Sequence, residues 1–143
     1  MRCYLLVLAG GSSLDRYSNN VTLFNLVEQL NFPKQALPQP GALLPLELHA
    51  YFQLTASELN QRFELRFVLV GTTGLETPTE VFSHRSTTLR YRTRTFGLPT
   101  PPVAGSYELR VESRVAGSED WTRDAASWPL LVVHSEPRPV VTH

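Results

Sequence analysis

A strict alternation of apolar and polar residues in two neighbouring segments constrains the fold of this chain more than any other feature. In the first segment the apolar residues are Leu46, Leu48, Ala50, Phe52 and Leu54, separated by Glu47, His49, Tyr51 and Gln53. In the second segment, beyond a polar turn at 57–61, they are Phe63, Leu65, Phe67 and Leu69. A period of two places successive side chains on opposite faces of an extended strand. The pattern therefore predicts two strands that share one apolar core.

The rest of the chain follows the same plan, with short strand-like runs between turn signals. The predicted strands are 3–9, 21–30, 46–54, 63–70, 75–84, 87–96, 105–112 and 128–134, with the first two paired as a hairpin. A proline-rich loop is expected at 33–45 and a polar connection at 116–127, because proline removes ladder donors. The pattern predicts an all-β fold of about seven to nine strands, arranged as a sandwich or a barrel. We expect one domain over residues 1–134 and a disordered tail over 135–143.

Composition limits the classes of partner. The chain has 143 residues and a formal net charge of zero, so no overall field favours nucleic acid or a membrane surface. Cys3 is the only cysteine, which rules out an intrachain disulfide and fits a cytoplasmic protein. The apolar start resembles a short signal peptide, but we interpret it as a buried first strand. No run approaches the roughly 20 apolar residues of a membrane helix.

The segment from Gly105 to Val111 carries a resemblance. Tyr107, Leu109 and Val111 alternate behind Gly105, and a hairpin then leads into a final apolar strand. This arrangement resembles the penultimate strand of many immunoglobulin-like domains, in which the tyrosine bonds the backbone at the corner. The core cysteine pair and tryptophan of antibody domains are absent, so the resemblance implies the architecture alone, an immunoglobulin-like antiparallel β-sandwich.

A second resemblance covers about the first third of the chain. An acidic turn at Asp15 leads into Asn19-Asn20-Val21-Thr22-Leu23-Phe24-Asn25-Leu26-Val27-Glu28, and a proline loop follows at Pro33. This segment is similar to the opening of a family of small, uncharacterised bacterial and phage proteins. The family has no assigned activity, so the resemblance implies no site residues.

An arginine stripe is the most distinctive candidate site. Arg90, Arg92 and Arg94 fall on one side of a predicted strand, with Arg85 nearby in sequence. They could form a cationic strip for phosphate, nucleic acid or an acidic partner. They could equally pair across the sheet, each pair stabilising it by about 0.2–1 kcal/mol. The candidate carboxylate partners for such pairs are Glu47, Glu64, Glu108 and Glu112.

Two further features suggest a contact surface. Val68 and Val70 fall on the outward side of their strand, and outward aliphatic residues are typical of a face that a second sheet or subunit covers. Trp128 is expected in the core at a strand start. Trp121 is less constrained and could anchor a partner, because interfaces favour tryptophan and arginine.

Catalytic and metal-binding signatures are weak. The histidines His49, His84, His134 and His143 form no recognised ligand spacing, and the chain has no nucleophile elbow or phosphate loop. Cys3 lies in a predicted buried strand, where a thiol is usually inert. We therefore expect a non-enzymatic interaction or assembly module that needs no cofactor or metal and that self-associates or binds a protein. The alternatives are binding of an anion or nucleic acid through the arginine stripe, and a hydrolase or metal enzyme without a visible motif.

Overall fold

A computed structural model of the protein describes residues 1–136. Within that range it contains ten strands and no α-helix. The strands are β1 Arg2–Leu14, β2 Val21–Leu26, β3 Gln29–Pro33, β4 Leu43–Gln53, β5 Arg62–Gly71, β6 Glu76–Pro78, β7 Phe82–Arg85, β8 Arg90–Pro99, β9 Gly105–Val115 and β10 Thr122–Ser135. Short 3₁₀ turns occupy Lys34–Ala36 and Ala56–Glu58. The all-β prediction is confirmed, and the ten strands exceed the predicted seven to nine.

The strands form two sheets. The first sheet has the order β2-β1-β4-β8, and the second has the order β3-β10-β9-β5-β6, with β7 also paired to β5. Pairing is antiparallel except between β10 and β3, which run parallel. The predicted hairpin is confirmed, because β1 and β2 pair from Ala9↔Leu26 to Leu14↔Val21. In the first sheet, β2 and β8 are therefore the two edge strands.

One apolar core lies between the two sheets. Its fully buried members include Leu8 and Leu48 from the first sheet and Leu65 and Val111 from the second. The inward faces predicted for 46–54, 63–70 and 105–112 are confirmed, since the apolar residues on those faces are all at most 8% exposed apart from half-buried Leu46. Trp128 packs against this core, and its Nε1 donates to the Val27 carbonyl oxygen at 2.8 Å.

Several predicted boundaries are wrong, for reasons of tertiary structure. The run 21–30 is two strands, because the chain crosses from the first sheet to the second at Val27 and Glu28. The run 75–84 is likewise two short strands, both paired to β5. Residues 122–127, predicted as connection, belong to β10, where a register shift between Arg123 and Ser127 masks the strand pattern.

The proline loop is shorter than predicted. Strand β3 runs to Pro33, and β4 begins at Leu43 and passes through Pro45. The ladder tolerates that proline because the register between β4 and β8 shifts between Leu44 and Glu47, and such irregularities are where sheets accept proline. The tail predicted as disordered falls on 135–143, of which 137–143 lie outside the described residues.

Candidate interaction surface

The arginine stripe lies on β8, on the outer face of the first sheet. Arg90, Arg92 and Arg94 are opposite Gln53, Tyr51 and His49 of β4. Directly opposed residues share a face, and Leu48, Ala50 and Phe52 of β4 point into the core. The arginines therefore face away from the core, as predicted. Arg85 is elsewhere, on β7 of the second sheet opposite Arg62.

The three arginines differ in their side-chain contacts. Arg94 binds Glu47, with its Nη2 atom 2.8 Å from Oε1. Arg92 Nη2 donates to the Asn19 side-chain oxygen at 3.1 Å. Among residues 1–136, neither Arg90 nor Arg92 forms a salt bridge. Cross-strand charge pairing, one of the two interpretations of the stripe, thus accounts for Arg94 alone.

Glu47 and His49 form a buried polar pair beneath the stripe. Both residues are 4% exposed, and His49 Nε2 lies 2.9 Å from Glu47 Oε2. Burial raises the pKa of Glu47, but hydrogen bonds from Ser12 and His49 and the charge of Arg94 together hold it below its ordinary value. The carboxylate is therefore ionised at neutral pH and is bonded by His49 and Arg94.

The β1–β2 hairpin covers this pair. Asn19 in its turn accepts a hydrogen bond from Arg92 across β4, and Ser12 of β1 is near enough to Glu47 to lower the pKa of its carboxyl. The Asn19–Arg92 contact requires the turn of the hairpin to reach over the outer face of the first sheet, because β1 and β4 lie between β2 and β8. The alternation of residues 46–54 predicted that Glu47 and His49 would be exposed to solvent. The one sequence signal for a polar cluster was a carboxylate and an imidazole two residues apart on the same face.

On the outer face of the second sheet, charged side chains pair with one another. Its salt bridges join Arg66 to Glu112 and Arg114 to Glu64 between β5 and β9, Arg123 to Glu108 between β10 and β9, and Arg110 to Glu108 within β9. Three of the carboxylates considered as partners of the stripe are thus occupied here. Trp121 lies against the same charges, with the guanidinium carbons of Arg66 and Arg114 at 4.4 and 4.3 Å from its ring centre.

Val68 does not form part of an exposed surface, in contrast to the prediction. Val68 is on the outward side of β5, between Arg110 of β9 and Pro78 of β6, and it is 2% exposed. Val70 is half-buried. Neighbouring strands of the same chain already cover Val68, so it needs no partner to do so.

Edge strand β2 exposes apolar side chains that the sequence did not single out. Phe24 and Leu26 are each 52% exposed, and Leu5 on β1 is 42% exposed. Residues 21–26 contain no charged side chain. An uncharged edge strand is a recognisable signal, but which strands form edges is decided by the tertiary fold.

Burial shifts the pKa values of two further titratable side chains, Cys3 and His84. Burial and the nearby Asp124 carboxylate raise the pKa of the Cys3 thiol to about 11, which disfavours the reactive thiolate. His84 Nδ1 lies 2.6 Å from the Tyr91 hydroxyl, and Phe63 stacks on the imidazole. Over residues 1–136, no group of three or more His, Cys, Asp or Glu side chains is arranged to hold a metal ion.

Comparisons with known proteins add no relative. No protein family model matches the chain, and no curated protein matches it. The resemblance of 15–33 to small bacterial and phage proteins therefore stays a prediction. In the part of the chain that the structure describes, no helix is long and apolar enough to cross a membrane.

Proposed function

We propose that this protein is a non-enzymatic interaction module that self-associates through edge strand β2. The observation that carries the proposal is the contrast between the two edges of the first sheet. Strand β8 has an arginine at every second position from 90 to 94, whereas β2 has no charge and exposes Phe24 and Leu26. Natural proteins protect free edges with charges, and an unprotected apolar edge pairs with another strand.

A second copy of the chain fits this edge. Antiparallel pairing of β2 with its copy about a two-fold axis is self-complementary, and it would join two four-stranded sheets into one continuous sheet. The same contact would place Phe24 against the second copy without opposing like charges. Asn25, with φ of 54°, interrupts the strand, so the pairing would centre on 21–24.

The non-enzymatic part of the proposal rests on how the reactive groups are engaged. Glu47 and His49 are buried against each other and Arg94, and Cys3 is a buried thiol with a raised pKa. The free thiol also supports a cytoplasmic location, because oxidising compartments favour disulfides.

An immunoglobulin-like arrangement of the two sheets belongs to the same proposal. It is supported by Tyr107, whose hydroxyl donates to the Val103 carbonyl oxygen at 2.5 Å, as the tyrosine corner of such domains does. Domains of this architecture commonly act by contact rather than by chemistry, although architecture alone assigns no function.

Sedimentation velocity over a range of concentrations tests the self-association. We expect the weight-average mass of the native protein to rise with concentration, and Phe24→Lys to keep it at the monomer value by placing a charge on the edge. The matched control is Phe96→Lys, which alters a 67% exposed phenylalanine on β8 and should associate as the native protein does. A native protein that stays monomeric at millimolar concentration, or a Phe24→Lys variant that associates normally, would contradict the proposal.

A further inference from the structure

Strand β8 has a free edge whose orientation can be read from one hydrogen bond. The Leu54 N–H donates to the Leu89 carbonyl oxygen at 2.7 Å, and the β4–β8 register is constant from Gln53↔Arg90 to Glu47↔Phe96. In an antiparallel ladder, hydrogen-bonded and non-hydrogen-bonded pairs alternate. Arg92, Arg94 and Phe96 therefore occupy non-hydrogen-bonded pairs, and their N–H and C=O groups point away from β4.

No strand of residues 1–136 pairs with this edge. The backbone groups of Arg92, Arg94 and Phe96 are thus available to an incoming strand. The Arg90 carbonyl oxygen accepts from the Thr88 hydroxyl at 2.7 Å, so the open part of the edge begins at Arg92. An added strand would gain main-chain hydrogen bonds here, as in other cases of strand addition to a sheet edge.

The side chains along this edge define what such a strand should carry. Arg90 and Arg92 have no carboxylate partner among the described residues, and Arg94 is 63% exposed despite its contact with Glu47. Residues directly opposed on adjacent antiparallel strands have Cβ atoms about 4.5–5.5 Å apart. Carboxylates at alternate positions of an added strand would therefore meet the arginines one by one.

An apolar groove continues the edge beyond the arginines. Leu43, Phe82, Phe96 and Pro99 give a mostly apolar lining to a cleft of about 260 Å³ between β8 and the segment before β7, and Thr79 and Glu80 lie at the same cleft. Phe96 and Leu43 are 67% and 68% exposed. An apolar side chain placed two positions from the nearest carboxylate on the added strand would enter this cleft.

We infer that β8 binds an extended acidic segment of a partner protein, with carboxylates at alternate positions and an apolar residue opposite Phe96. A second copy of β8 is a poor occupant, because a two-fold pairing centred on Arg92 would oppose arginine to arginine. Nucleic acid would use the arginines but neither the outward main-chain groups nor the apolar cleft. The inference concerns a different edge from the self-association through β2 and does not depend on it.

Fluorescence anisotropy with labelled synthetic peptides tests the inference. The probe is a short peptide in which glutamate alternates with threonine behind an apolar leucine, and its control has the same composition with the glutamates consecutive. A third peptide repeats the probe with N-methyl groups at the positions that face β8, which removes its main-chain donors. The protein is used both as the native chain and as Phe24→Lys, so that loss of self-association cannot be mistaken for loss of peptide binding.

We expect the alternating peptide to bind, with an affinity that falls as salt rises, and the other two peptides to bind at least about tenfold more weakly. The double variant Arg90→Gln/Arg92→Gln should weaken binding by about tenfold, the effect of two exposed charge contacts. Arg123→Gln on the second sheet is the matched control and should bind as the native protein does. Circular dichroism establishes that each variant is folded.

Three results would overturn the inference. Equal binding of the alternating and consecutive peptides would show that binding does not depend on strand register. Full binding of the N-methylated peptide would show that it does not depend on main-chain hydrogen bonds. The stripe would be assigned to nucleic acid instead if single-stranded oligonucleotides bound more tightly than the alternating peptide and if the double variant lost that oligonucleotide binding.

Discussion

Glu47 lies at a polar position of an ordinary alternating strand, but the fold buries its charged side chain. Its carboxylate is almost fully buried, and His49 and Arg94 supply opposite charge or hydrogen bonds at 2.9 and 2.8 Å. A buried polar group costs little when its hydrogen bonds are made and costs the full desolvation penalty when a partner is removed. Glu47, His49 and Arg94 therefore depend on one another.

Glu47→Gln should lower the free energy of unfolding by about 1–3 kcal/mol, because it removes the charge that His49 and Arg94 share. Urea denaturation followed by tryptophan fluorescence measures the change. The matched control is Glu64→Gln, which breaks a pair with Arg114 whose members are both about one-quarter exposed and should cost less than about 1 kcal/mol. An equal loss in both variants would mean that the Glu47 cluster contributes no more than a surface pair.

His84 is a second residue whose surroundings change its protonation. Its imidazole lies between Phe63 and Tyr91, and its Nε2 atom is buried without a hydrogen-bond partner among residues 1–136. Burial lowers the pKa of His84 from its ordinary value of 6.5. The folded protein therefore keeps this histidine neutral at a pH where the unfolded chain protonates it.

The sign of the pH dependence follows from that difference. Between the lowered pKa of the folded state and the ordinary value of 6.5, the unfolded state binds a proton that the folded state does not, so the stability falls as the pH decreases through 6.5. His84→Phe should flatten this part of the curve, because phenylalanine cannot titrate. Chemical denaturation at pH 7.5, 6.5 and 5.5 measures it, and an unchanged slope in the variant would refute the assignment to His84.

At the scale of elements, strand β9 is held at its beginning by a single side chain. The Tyr107 hydroxyl both donates to the Val103 carbonyl oxygen and accepts from the Val103 N–H, at 2.5 and 3.3 Å. These bonds tie the loop after β8 to the strand that follows it. The Gly105-x-Tyr107 pattern predicted this corner from sequence because both partners are local, only four residues apart.

Tyr107→Phe should reduce the free energy of unfolding by about 0.5–1.5 kcal/mol, since it removes one hydroxyl and leaves the ring in place. The matched control is Tyr17→Phe in the β1–β2 turn, where the tyrosine is fully exposed and no change is expected. Thermal or urea denaturation of both variants decides the point. A neutral Tyr107→Phe would show that the corner hydrogen bonds are replaced by water without cost.

Elements that depend on distant partners were harder to predict. The run 21–30 is apolar on both faces, and nothing local marks the change of sheet at Val27 and Glu28. That change is determined by Trp128, about a hundred residues away, whose indole bonds the Val27 carbonyl oxygen, and by the parallel pairing of β3 with β10. Which strands become the edges of a sheet, as β2 and β8 do, also depends on residues far apart in the chain.

At the scale of the whole molecule, the two sheets share one core and should unfold together. Leu48 belongs to the first sheet and Leu109 to the second, and both are at most 1% exposed in the same apolar cluster. Neither sheet can bury its inner face without the other. The described residues should therefore behave as one cooperative unit.

Leu48→Ala and Leu109→Ala should each cost about 2–5 kcal/mol, the usual loss for a buried leucine. In each variant we expect circular dichroism and tryptophan fluorescence to report one shared transition. The control is Leu75→Ala, which truncates a 57% exposed leucine and should change stability little. Two separate transitions in either core variant would contradict the single shared core.

The sequence by itself determined which segments are extended and which of their faces are apolar, because alternation is a local property of a strand and needs no knowledge of its neighbours. It also placed Arg90, Arg92 and Arg94 together on one outward face. Only the tertiary structure decided that Glu47 and His49 are buried, that Val68 is covered and that β2 and β8 are edges. Those outcomes depend on which strands lie side by side and on the hairpin folding over its own sheet, and both are set by contacts between residues far apart in the chain.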